Sequence, residues 1–165
     1  MSNEKFTIKE AKIRDLERLT SVLIVYKREL TDFFNNDFKI FRQEEKSVRE
    51  IKRAVEKNLL HDSHTKIIYI ENVDGEIIAM SYGMLLFSDH LLFKPIKYGK
   101  IAGLWVNKEF RGKGLASMLK EFLFVWFKAN KCKYIQMIIL KDNPDFEIFM
   151  KWGFVSVLET MRKKI

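Results

Sequence analysis

This chain is poor in the residues that staple or punctuate a fold. Its 165 residues hold one cysteine, two prolines, seven glycines and three histidines. The single thiol, Cys132, excludes an intramolecular disulfide framework and fits a reducing compartment. Nothing near it in sequence favours ionisation, so it reads as inert. One Cys with His61, His64 and His90 makes no zinc-binding set, and no metal is expected. Few prolines and no Gly-rich stretch leave no evident linker, so residues 5–165 read as a single domain. No apolar run approaches the length of a membrane span. Met1-Ser2-Asn3-Glu4-Lys5 lacks the apolar region of a signal peptide. The expectation is a cytoplasmic protein with no membrane partner.

Apolar and basic side chains are plentiful. Hydrophobic residues make up 47% of the chain, with 14 Phe, 5 Tyr and 3 Trp, ample for a packed core. The net charge is +8. Residues 101–165, with twelve Lys and Arg against six Asp and Glu, supply +6 of it. A basic surface suits a phosphate-rich ligand or nucleic acid.

Periodicity divides the chain into elements. Phe6-Thr7-Ile8-Lys9 alternates as a first strand. From Asp15 to Leu30, the residues Leu16, Leu19, Leu23, Tyr26 and Leu30 recur at helical spacing. Asn35-Asn36-Asp37 breaks the pattern. Ser47-Val48-Arg49-Glu50 is a capping box, and Val48, Ile51, Val55 and Leu59 continue it as a second helix. Ile67 to Glu71 and Glu76 to Phe87 read as strands joined by the hairpin signal Val73-Asp74-Gly75. Tyr98 to Val106 is a further strand. Leu115 to Ala129 is a helix apolar nearly all round, as one buried on a sheet would be. Tyr134 to Leu140 is a strand, Asp145 to Lys151 a short helix stopped at Gly153, and Phe154 to Thr160 a last strand. The order β-α-α-β-β-β-α-β-α-β predicts an α/β fold. Its twisted sheet is mixed, mostly antiparallel, and flanked by helices on both faces.

The stretch that carries chemistry is Arg111-Gly112-Lys113-Gly114-Leu115-Ala116, between the 98–106 strand and the 115–129 helix. Strand, glycine loop and helix turn main-chain N–H groups into a cradle for phosphate. Gly112 and Gly114 tolerate positive φ and close approach of a ligand. The helix start offers unpaired donors and the positive end of its dipole. Arg111 and Lys113 add formal charge. The loop matches neither G-x-x-x-x-G-K-[ST] nor G-x-G-x-x-G, so neither common nucleotide loop applies.

On these residues the chain resembles the GCN5-related N-acetyltransferase (GNAT) superfamily. The family loop is Q/R-x-x-G-x-G/A, and Arg111, Gly114 and Ala116 fill its fixed places. Ile8-Lys9-Glu10-Ala11 with Asp15-Leu16 is similar to the family's first strand and helix. Leu104-Trp105-Val106-Asn107 is similar to its bulged fourth strand, and Phe149-Met150-Lys151-Trp152-Gly153-Phe154 to its late aromatic–x–x–x–Gly–Phe segment. The resemblance implies acetyl transfer from acetyl-CoA to a primary amine by direct attack, the acceptor being a small molecule or a protein amine. It implies that Arg111, Gly112, Lys113, Gly114, Leu115 and Ala116 bind the CoA pyrophosphate, with Ser117 beside them. Leu104 and Val106 would pair with the pantetheine arm, and one of their N–H groups would polarise the thioester carbonyl. Trp105 faces either the core or the acceptor cleft. Asn143, with Trp105 and Phe149, would contact the cofactor. Since pyrophosphate accounts for the basic loop, no nucleic-acid partner is expected. The assembly is a monomer or a homodimer.

The chain departs from the family pattern at Phe149. There many members carry a Tyr that protonates the leaving thiolate, and Phe cannot donate a proton. This leaves an alternative reading, an acyl-CoA-binding module with weak or no catalysis. Asn143 also stands one residue nearer the Gly than is usual. For a general base the sequence offers Glu71, Tyr82, Asp89, His90 and Asp142. The aromatic segment from Phe33 to Phe41 is either a wall of the acceptor site or core packing. Glu29, Asp32, Asp37, Glu44 and Glu45 are candidate partners of a cationic acceptor.

Overall fold

A computed structural model of the protein describes residues 6–33, 46–88, 92–139, 143 and 145–157. Five strands form one sheet in chain order: β1 (Ile8–Glu10), β2 (Thr65–Glu71), β3 (Ile77–Phe87), β4 (Lys97–Val106) and β5 (Ile135–Met137). The first four pair antiparallel, and β5 joins β4 in parallel. The described residues form four α-helices: α1 (Leu16–Phe33), α2 (Val48–His61), α3 (Leu115–Ala129) and α4 (Phe146–Lys151).

The sheet separates two cores. On one face Leu115, Leu119, Leu123 and Phe127, a stripe spaced by four residues along α3, bury against Ile68, Ile70, Ile78, Ala79 and Ile101. On the other, Leu19 of α1 and Val55 of α2 pack on Ile67, Tyr69, Ile77, Met80 and Trp105. β2 and β3 are therefore buried on both faces and read as continuous apolar runs. The local signals are realised as well. Ser47 and Glu50 form the reciprocal cap of α2, and Gly75 turns the β2–β3 hairpin at φ +80°. Gly153 ends α4 at φ +86°, with the Phe154 N–H reaching back to the Phe149 carbonyl at 3.2 Å.

Three boundaries differ from the sequence reading. The first strand is Ile8–Glu10, because its ladder with β2 begins only at Ile8. Of the strand expected at 134–140, residues 134–139 are described, and among them strand is formed at Ile135–Met137, where β5 meets β4. The strand expected at 154–160 is not formed over residues 154–157, where Val155 and Val157 are exposed. A strand needs a neighbour for its backbone groups, and hydrophobic alternation alone supplies none. Residues 158–160 lie outside the described residues, as do 34–45 with most of the aromatic segment.

Candidate active site on the open edge of β4

β4 pairs with β3 along its length, but the register slips where Tyr82 opposes Gly103 and Gly83 opposes Ile101. Ala102 is thus an extra residue, a β-bulge. A bulge reverses the side-chain alternation beyond it. Ile101, Leu104 and Val106 consequently all turn toward the α3 core, while Trp105 enters the α1–α2 core. This settles the two placements open for Trp105 in favour of the core. Its indole N–H is buried with no hydrogen-bond partner among the described residues.

β5 accompanies β4 only from Gly99 to Ile101. Beyond Ile101, no described strand pairs with that side of β4. The Asn107 N–H donates toward β3, to the Ile78 carbonyl at 2.9 Å. Main-chain donors alternate along a strand, so the N–H groups of Val106 and Leu104 point the opposite way, toward the opening that β5 leaves.

α1 places Tyr26 and, one helical turn on, Glu29 on the side of the sheet that holds this strand. Tyr26 packs on the α1–α2 core together with Trp105 and Tyr82. Burial and the neighbouring Tyr82 push its pKa up to about 12, and the Leu104 amide opposes part of the rise. The Tyr82 ring covers the backbone of Gly103, where a Cβ would sit 2.1 Å from Cε1, so only glycine permits that approach. The second residue, Glu29, accepts from Arg111 Nη2 at 2.8 Å, and Arg111 Nε donates to the Val106 carbonyl at 3.0 Å.

The loop follows a short 3₁₀ turn at Lys108–Phe110, in which Asn107 Oδ1 accepts the Glu109 N–H at 3.2 Å. Gly112 and Gly114 both lie at φ +79°, and a Cβ on either would meet nothing within 4 Å. α3 begins at Leu115 without a side-chain cap. The N–H groups of Gly112, Gly114, Leu115, Ala116 and Ser117 meet no acceptor among the described residues. The Arg111 N–H differs, being drawn to the Lys108 carbonyl at 3.4 Å. The Lys113 ammonium lies 4.9 Å from the Phe110 ring centre. The loop's arginine therefore works inward through its guanidinium, tying loop, β4 and α1 together.

Two expected ligand contacts have structural occupations. Asn143 Oδ1 accepts the Asp145 N–H at 2.8 Å, and the Asn143 carbonyl accepts from Phe146 at 3.0 Å, forming the turn into α4. Phe149 is buried edge-on against Trp152, ring centres 5.4 Å apart.

Among the candidate bases, Glu71 is engaged by Lys9 and by Arg18, at 2.6 Å in the latter case. These bonds hold its carboxyl below the usual range. Burial raises the Tyr82 phenol, so it is a neutral group near pH 7. Asp89, His90 and Asp142 lie outside the described residues, as do Asp37, Glu44 and Glu45. Burial also raises the Cys132 thiol, which agrees with an unreactive cysteine. No three His, Cys, Asp or Glu residues gather as a metal site among the described residues. No described helix is long and apolar enough to cross a membrane. Tyr26, read from the sequence as part of the core-facing stripe of the first helix, packs on that core. Sequence reasoning did not foresee Glu29 as the partner of Arg111, because 82 residues separate them.

A sequence model of the acetyltransferase (GNAT) family matches residues 27–154. No curated protein matches the sequence. Among solved structures, glucosamine-6-phosphate N-acetyltransferase from Arabidopsis thaliana superposes with a TM-score of 0.67 at 23% identity, covering 98% of this chain and 99% of its own. An aminoglycoside N-acetyltransferase in complex with CoA superposes at 0.72 and 14% identity, covering 99% and 96%. A Clostridium acetobutylicum protein solved with acetyl-CoA superposes at 0.73 and 19% identity, covering 97% and 96%. At such identities these likenesses speak to the fold.

Proposed function

The chain belongs to the GNAT family of acetyltransferases, and we propose that it transfers an acetyl group from acetyl-CoA to a primary amine by direct attack. The observation that carries this reading is the set of main-chain donors at Gly112, Gly114, Leu115, Ala116 and Ser117, which meet no acceptor among the described residues, beside the open edge of β4 and with two glycines in left-handed conformation. Open space at both glycine Cα positions fits a diphosphate lying close to the backbone. The start of α3 adds the positive end of its dipole.

Acetyl-CoA supplies an activated acetyl group on a thioester. The N–H groups of Gly112, Gly114, Leu115 and Ala116 would hold its pyrophosphate. Lys113 would contribute charge, and Arg111 would keep the loop in register through Glu29 and Val106. Val106 and Leu104 would offer main-chain donors to the pantetheine arm and the thioester carbonyl. The attacking amine forms the new C–N bond as the C–S bond breaks. Its surplus proton passes to water, and the sulfur departs as a thiolate, a good leaving group with a thiol pKa of roughly 8–9. Orientation and donors supply the acceleration.

Phe149 supports one competing reading, a module that binds acyl-CoA with little turnover. Removing a general acid costs about 10² to 10⁴ in rate, which slows an enzyme without silencing it.

Thermal denaturation with acetyl-CoA, CoA and ATP tests the reading. Ligand at about 100 times its Kd stabilises by about 2.7 kcal/mol. For a chain of this size that is roughly 5–10 °C. No response to either CoA species refutes it. Thiol release across a panel of amines, polyamines, aminoglycosides and peptide N-termini then separates enzyme from module. Binding without turnover on any amine favours the module.

A further inference from the structure

The β3–β4 hairpin runs past both of its neighbouring strands. β2 begins opposite Met84 and β5 opposite Gly99, whereas β3 and β4 stay paired as far as Phe87 and Lys97. There the Ser88 N–H donates to the Ile96 carbonyl at 2.9 Å, and Ser88 Oγ accepts the Ile96 N–H at 2.8 Å. This pinch holds out an end that carries four exposed large apolar side chains, Phe87, Leu92, Phe93 and Ile96, the middle two at 77% and 69% exposure. Exposed apolar groups gathered in this way mark a surface that something else covers. Lysines surround them. Lys94 and Lys97 belong to the hairpin, and the Lys133 N–H donates to the Lys97 carbonyl at 2.9 Å, which sets the turn between α3 and β5 alongside. That turn brings Lys128, Lys131 and Lys133, all exposed, with the exposed ring of Tyr134. The described residues within 87–99 and 127–135 include five lysines and no Asp or Glu, and none of the five forms a salt bridge among the described residues.

We propose that this end of the molecule rests on an anionic lipid surface, with the hairpin's apolar side chains seated at the acyl boundary and the lysines among the headgroup phosphates. The proposal stands apart from acetyl transfer. It replaces the expectation that no membrane is among the partners: no described helix can cross a bilayer, but a protein can be held on one without crossing it. The apolar side chains gain by leaving water, and each lysine gains by approaching negative headgroups. The same composition disfavours other occupants. Leu92 and Ile96 have no flat face on which a nucleic-acid base could stack. A second copy docked here would set lysine against lysine. The orientation also suits a working protein. β4 runs away from this end to Val106, and α3 returns to it from the glycine loop. The glycine loop therefore lies at the opposite end of the β4–α3 unit and stays in water while the hairpin is docked.

The test is co-sedimentation of the full chain with vesicles of phosphatidylcholine alone and of phosphatidylcholine mixed with phosphatidylglycerol in equal parts. Wild type should partition to the anionic vesicles at least about tenfold more strongly, and the excess should fall as salt is raised. Lys131→Gln with Lys133→Gln should lower that partitioning about tenfold. Phe93→Ser should lower it several-fold. Lys108→Gln, which removes the same charge at the other end of β4, should leave it unchanged. These side chains are exposed, so the variants should fold as wild type does. Phe93→Trp reads insertion directly: lipid brominated on its acyl chains should quench the added fluorescence. Absence of binding to the anionic vesicles overturns the proposal. So does binding that Lys108→Gln weakens as much as the hairpin variants do, since net charge then suffices. Binding of single-stranded DNA through Lys131 and Lys133, with none to vesicles, assigns the surface to nucleic acid and overturns it equally.

Discussion

Arg111 and Glu29 are joined at 2.8 Å across 82 residues of chain, and the same guanidinium reaches the Val106 carbonyl at 3.0 Å. One side chain therefore couples the glycine loop, proposed to bind the pyrophosphate, to the strand that would hold the thioester and to α1. Lys cannot reproduce the contact, because a single ammonium lacks the planar fork that serves two acceptors at once. Arg111→Lys and Glu29→Gln should each lower stability by no more than about 1 kcal/mol, since the guanidinium is half exposed. Both should raise the Kd for acetyl-CoA several-fold. Denaturant unfolding and titration calorimetry separate the two effects. Unchanged affinity in both variants would show that the tether does not hold the loop.

Gly114 and Gly75 make a matched pair, at φ +79° and +80° with open space around each Cα. Alanine at either position should cost about 1–2 kcal/mol of backbone strain. Only Gly114→Ala should weaken CoA binding, by tenfold or more, because its new methyl projects where the diphosphate would lie. Isothermal titration of both variants checks this. Equal affinities would remove the loop from the binding site.

The Tyr82 ring and Gly103 should be strongly coupled. Gly103→Ala places a methyl inside the ring's volume and should cost about 1–3 kcal/mol. In a Tyr82→Ala background the same change should cost much less. A double-mutant cycle by chemical denaturation measures the difference, and additive losses would contradict the packing.

Acid stability should depend on Glu71. Its bonds with Lys9 and Arg18 hold the carboxyl below its unfolded value. The stabilisation is thus fully present above the ordinary carboxylate range and fades as pH falls through the depressed folded value. Glu71→Gln should be less stable than wild type at pH 7 and nearly equal to it near pH 2. Unfolding curves across that window provide the measurement. A constant gap would assign the effect to packing rather than charge.

The elements whose signals are local were legible in the sequence. The α3 limits, Leu115 and Ala129, coincide with the periodicity. The Ser47–Glu50 cap and the turns at Gly75 and Gly153 follow from residues within a few positions of each other. The strand read at 154–160 is not formed over 154–157, because alternation states a preference and pairing requires a partner. The inward role of Arg111 was hidden for a similar reason. A basic residue in a phosphate loop reads as ligand-facing until the fold brings Glu29 beside it.

By itself the chain determined its helices, its turns, the glycine loop and the family they announce, all products of short-range periodicity and backbone permissiveness. Tertiary structure alone decided which strand edge stays open. It also decided that the bulge at Ala102 turns Leu104 and Val106 toward α3, and that Glu29 meets Arg111 beside that edge. The last of these joins residues 82 positions apart, and only the packing of α1 against the sheet brings them together.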